Sequence, residues 1–81
     1  MTLNEAFARR VREILKEKHM TQTNLEDLTG LYHSTMSYLL NYKTKSSNFK
    51  TMAIIIRALG MSIVEFFDSP VFDFENLEID E

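Results

Sequence analysis

The residues best suited to recognition chemistry fall together in the middle of the chain. If residues 32–41 form a helix with Met36, Leu39 and Leu40 toward a core, its opposite face carries His33, Ser34, Ser37, Tyr38 and Asn41. All five are short or flat hydrogen-bonding side chains, and none is acidic. Reading base edges in a DNA groove needs such groups, because neighbouring phosphates repel an acid. An ordinary solvated helix face is dominated by Lys, Glu and Gln, and their absence here favours readout. Catalytic chemistry has no comparable support. No nucleophile, base and orienter stand at workable spacing, and no glycine-rich loop could cradle a phosphate. The two histidines, His19 and His33, come without cysteine or an H-E-x-x-H spacing, so no metal, cofactor or small-molecule substrate is expected. His19 reads as a cation at a helix end, and His33 as a group able to donate or accept at a base edge.

The elements that must position this face are legible from apolar spacing and caps. Residues 3–18 place Leu3, Phe7, Val11, Ile14 and Leu15 on one stripe, with Arg9, Arg10, Arg12, Glu13, Lys16 and Glu17 opposite. Thr21 is a natural cap for a short helix over 22–29, anchored by Leu25 and Leu28, and Gly30 can close it in the left-handed region. The third helix follows, and Tyr42 to Ser47 form a polar, basic loop. Asn48 caps a fourth helix with a stripe of Phe49, Met52, Ala53, Ile56 and Leu59, stopped by Gly60. Met36 and Met52 lie on these stripes and read as core filler. Ser62 and Glu65 have capping-box spacing, and Met61 is placed to staple onto Phe66, so a short fifth helix runs to about Phe67. Beyond Pro70 the period becomes two: Phe72, Phe74, Leu77 and Ile79 alternate with acids, which predicts an extended arm.

Size and charge narrow the partners. Eighty-one residues make one small domain, and 44% hydrophobic with 26% charged residues describes a globular chain. The longest apolar run, 52–56, is far short of the roughly 20 residues of a membrane span. With no h-region and no cysteine, a cytoplasmic location is expected. The net charge of −3 hides a segregation: residues 1–64 hold all nine Lys and Arg against five acids, whereas 65–81 hold seven acids and no base. The body is basic and the tail acidic, so the body suits a polyanion.

Short helix, glycine turn and second helix describe a helix-turn-helix, whose second helix enters the DNA major groove. Four blocks extend that pattern in order: V-R-E-I-L-K-E-K-H-M-T-Q, L-T-G-L-Y-H-S-T-M-S-Y-L-L-N, K-T-K-S-S-N-F-K-T-M and I-R-A-L-G-M-S-I-V-E-F-F-D. Over about residues 3–68 the chain resembles the Cro/cI-type (XRE-family) DNA-binding domain. The resemblance implies an all-α, compact five-helix, lambda-repressor-like domain over 1–69, with the acidic extended arm at 70–81. It implies double-stranded DNA as partner, a homodimer on the operator, and a bacterial or phage-encoded regulator, most often a repressor. It places His33, Ser34, Ser37 and Tyr38 at base-reading positions. Gln22 would touch a phosphate and brace the recognition helix. Tyr32, Asn41, Lys43, Thr44, Lys45, Asn48 and Phe49 would approach phosphates, which lysines and helix N-termini suit.

The chain departs from the family at four places. Leu15 and Leu40 stand where many members pair an Arg with a Glu, a swap that replaces a buried ion pair by apolar contact. Tyr32 replaces a Ser or Thr cap, a loss of about 1 kcal/mol. Tyr42 replaces a glycine, and Glu26 replaces a small residue and is expected to face solvent. The arm has three readings: a dimerisation element, a cover for its own core, or an acidic shield over the basic face. The rival function is a protein-interaction module, an antitoxin or anti-repressor partner using that tail.

Overall fold

The computed structural model describes residues 1–41 and 48–79. Five α-helices account for its body: α1 (Leu3–Glu17), α2 (Gln22–Thr29), α3 (His33–Leu40), α4 (Phe49–Ala58) and α5 (Ile63–Phe67). Each begins where the local chemistry allows. Thr2, Thr21 and Ser62 all form capping boxes, and the Asn48 side chain accepts from the Lys50 N–H at 2.7 Å. Gly30 and Gly60 take the left-handed conformation after α2 and α4. His19 does the same after α1 with φ 54°, and the Met20 N–H donates back to the Leu15 carbonyl at 2.9 Å, a closure usually left to glycine.

In the boxes of α1 and α5 a glutamate receives a backbone N–H, from Thr2 to Glu5 at 3.1 Å and from Ser62 to Glu65 at 3.2 Å. These backbone hydrogen bonds hold both carboxyls below the ordinary value of 4.5. A carboxyl depressed in the folded state contributes stability above its unfolded value and loses it as pH falls through the folded one. The thermal midpoint should therefore drop on acidification below about pH 4.5, and the E5Q/E65Q double variant should show a shallower drop in a pH series of melts.

The core lies where α1 crosses α3 and α4 meets α5, with α2 packed on α3 and α4. It comprises Phe7, Ala8, Val11, Ile14, Leu15, Leu25, Met36, Leu39, Leu40, Ile55, Ile56, Leu59 and Phe66. Three expected stripe members are exposed instead: Leu3, Leu28 and Phe49. Leu3 and Phe49 open their helices, beyond the reach of the packed turns. In α2 the inward row runs from Leu25 to Thr29, four residues apart, and the Thr29 hydroxyl donates to the Leu25 carbonyl at 2.8 Å. Leu28 is carried off that row.

The tail differs from the extended arm that its alternation predicts. Pro70 fixes its own φ and lacks an N–H, starting a 3₁₀ turn over Pro70–Phe72, and a second turn follows over Phe74–Asn76. The chain is extended only around Asp73 and from Leu77. Phe72 folds back onto its own body, 4.8 Å from the Phe67 ring and 6.0 Å from that of Phe66, while Phe74 stays 81% exposed. The Asn76 amide donates to the Pro70 carbonyl at 2.8 Å, and the N-terminal ammonium donates to the Asn76 carbonyl at 3.0 Å. The Glu78 N–H completes this edge by donating to the Met1 carbonyl at 2.8 Å.

Candidate nucleic-acid interface

The turn between α2 and α3 is set by Gly30 at φ 73° and by Leu31, half-buried against the core. It aims α3 so that Met36, Leu39 and Leu40 go inward. His33, Ser34 and Tyr38 face outward and Ser37 is half-buried. Tyr32 caps α3 without a side-chain hydrogen bond, as its type dictates, and is 81% exposed. Phe49 and Asn48 stand exposed at the start of α4, beside α3. A groove of about 440 Å³ separates the two elements, lined by Ser34, Thr35, Tyr38, Leu39, Asn48 and Thr51. Thr35 and Thr51 add hydroxyls beyond those expected from the sequence. Thr35 is exposed like Ser34, about 100° further round the helix. Lys43, Thr44 and Lys45, together with Tyr42, lie outside the described residues.

Two polar devices hold α3. At its end, Arg12 of α1 donates through Nε (3.1 Å) and Nη2 (2.6 Å) to the Leu40 carbonyl, and through Nη2 to Asn41 Oδ1 at 3.0 Å. A guanidinium there satisfies a carbonyl that the helix leaves open and complements the negative end of its dipole. Leu15 and Leu40 are both buried, so the apolar pair stands in the core while Arg12 supplies the polar tie from a neighbouring turn. Arg10 does the same for α5: its Nε donates to the Phe66 carbonyl at 2.8 Å and its Nη2 to that of Glu65 at 3.2 Å.

At its start, α3 is held by a ring of side chains. Gln22 Nε2 donates to Glu26 Oε2 at 2.9 Å and to Ser37 Oγ at 3.1 Å. His33 Nδ1 lies 2.9 Å from the same Glu26 oxygen, and His33 Nε2 is 3.4 Å from Ser37 Oγ. Glu26 is therefore corrected: it does not face solvent, its side chain being 13% exposed and turned onto α3. Four residues after Gln22 and one after the buried Leu25, it sits on the flank of α2 that meets α3. The Gln22 amide first, and His33 after it, hold its carboxyl below the usual glutamate range. An acid thus stands beside the face that the third helix alone presents as acid-free.

A short capped helix, a left-handed glycine and a second helix clamped at both ends with a polar outer face define a helix-turn-helix domain. Residues 10–70 match the model of the Cro/C1-type HTH DNA-binding domain, and the chain belongs to that family. The match covers α2, α3, α4 and α5 whole and the second half of α1. No curated protein and no solved structure matches the chain. Family membership makes this a DNA-binding regulator. Among the described residues, no helix is long and apolar enough to cross a membrane.

Proposed function

We propose that the protein is a sequence-specific transcriptional repressor that reads an inverted-repeat operator as a homodimer, in the cytoplasm of a bacterium or on behalf of a phage. Residues 1–69 are its DNA-binding unit and 70–81 its arm. The observation that carries this reading is α3 itself: a helix fixed at both ends, with Ser34 and Tyr38 exposed on its outer face and a hydroxyl-lined groove beside them. Fixed donors and acceptors are what direct readout in the major groove requires. Gln22, Asn41, Asn48 and Phe49 flank that face as backbone contacts; in the sequence that follows α3, Lys43 and Lys45 supply positive charge for phosphates and Thr44 a hydroxyl. Repression is steric, by occupying DNA that polymerase needs.

Dimerisation draws support from apolar side chains left in solvent on α5 and the arm: Val64 is 79% exposed, Phe74 81% and Ile79 47%. A two-fold dimer would set two α3 helices about one DNA turn apart, roughly 34 Å. Purified protein mixed with sheared genomic DNA at near-physiological salt, followed by sequencing of bound fragments, should enrich a short inverted repeat. Salt-labile binding without enrichment would reject operator readout and turn attention to a protein partner for the acidic tail.

A further inference from the structure

We propose that Glu26 is a specificity-determining residue: acting through His33, it makes the imidazole Nε2 a hydrogen-bond acceptor toward DNA. The inference rests on reading α3 as the helix that faces the bases. It begins with the direction of each hydrogen in the ring of Gln22, Glu26, His33 and Ser37.

An ionised carboxylate only accepts, so the Nδ1 atom 2.9 Å from Glu26 Oε2 carries the ring proton. In the neutral imidazole the other nitrogen, Nε2, is then an acceptor. Ser37 Oγ already accepts from Gln22 Nε2 at 3.1 Å and turns its own hydrogen toward His33 Nε2, 3.4 Å away. One carboxylate on α2 thus sets the polarity of three other side chains. The Ser37 contact is long, and the His33 side chain is 76% exposed. A better donor from outside can displace that hydroxyl.

Base edges divide on this criterion. Adenine N6 and cytosine N4 offer donors in the major groove, whereas guanine (O6 and N7) and thymine (O4) offer only acceptors. An imidazole with an Nε2 lone pair selects adenine or cytosine at the position it meets. Without Glu26, a neutral histidine favours the proton on Nε2 and becomes a donor, which cytosine cannot meet and guanine or thymine can. A side chain without an acceptor at this position would carry no such instruction, so Glu26 sets the reading of His33 from the neighbouring helix.

Two measurements test the assignment. Histidine nitrogen spectra of the free, folded protein at mildly alkaline pH should show the Nδ1–H form for His33 in the wild type and in Glu26→Gln, whose amide oxygen still accepts. Glu26→Ala should show the Nε2–H form, with the His19 signals unchanged. Selection from a random duplex library should give adenine or cytosine at one half-site position for the wild type and Glu26→Gln. For Glu26→Ala that preference should move toward guanine or thymine by roughly tenfold. An Nε2–H ring in the wild type overturns the proposal. So does one motif shared by all three proteins with weaker binding for Glu26→Ala, which would make Glu26 a brace only. A wild type that selects no motif overturns the operator reading and the specificity role with it. The spectra then tell the two failures apart, because an Nδ1–H ring would leave the positioning of His33 standing.

Discussion

Phe66→Ala is expected to cost about 3–5 kcal/mol of folding free energy, as phenylalanine truncation in a packed core does. The ring is fully buried and lies 5.2 Å from Phe7, 5.0 Å from Phe67 and 6.0 Å from Phe72, and the Arg10 guanidinium sits 5.9 Å from its centroid. It joins α1, α5 and the first turn of the tail in one aromatic cluster, so its removal leaves a void that no single element can close. Small domains have about 5–15 kcal/mol in total, and each lost kilocalorie lowers the midpoint by roughly 4–8 °C in this size range. The variant should melt more than ten degrees lower, whereas Val64→Ala, 79% exposed, should change stability by less than about 0.5 kcal/mol. Chemical denaturation of both variants reads this directly. A loss below about 1 kcal/mol for Phe66→Ala would mean that the aromatic cluster is dispensable.

Tyr38→Ala is expected to separate specific from general binding. Its side chain is 57% exposed on the outer face of α3 and lines the groove against α4, while its neighbour Leu39 is in the core. Truncation should therefore leave folding nearly intact and cost about 1–3 kcal/mol on the selected operator, with little loss on random DNA. Lys43→Ala or Lys45→Ala should do the opposite, weakening every duplex similarly and reducing the salt slope by about one. Titrations against both duplexes at several salt concentrations distinguish the two patterns. Equal losses on operator and random DNA for Tyr38→Ala would remove that residue from base readout.

What the sequence revealed and what it hid follow the range of the interactions involved. Thr21, Gly30, Asn48 and Ser62 each act within four residues of themselves, and all four mark helix ends as their types require. The Thr2 and Glu5 box has the same local signature. Most inward positions follow from the helical period; the exceptions are Leu3 and Phe49, which open their helices, and Leu28, which lies off the inward row of α2. The arm misled for a different reason. Alternation of phenylalanine and acid implies a strand only if a partner strand exists, and Pro70 with Asn76 coils the segment instead. Glu26 and the arginines could not be read at all. Glu26 looks like a surface acid until α3 is laid against α2, and Arg10 and Arg12 reach carbonyls 56 and 28 residues away. A backbone oxygen leaves no trace in side-chain types.

Those two arginines stand two positions apart on α1, about 200° around a helix of 3.6 residues per turn. They leave opposite sides of one rod, and each ties down the carboxyl end of a different helix. The rod therefore acts as a caliper: one jaw carries α3, the other carries α5 and the arm. In the proposed dimer the distance between half-sites is then a property of α1 and what hangs from its second jaw, while the letters read belong to the first. Spacing and spelling are separately adjustable, so an operator with wider half-sites could be met by re-docking α5 alone, leaving every base-facing side chain where it is.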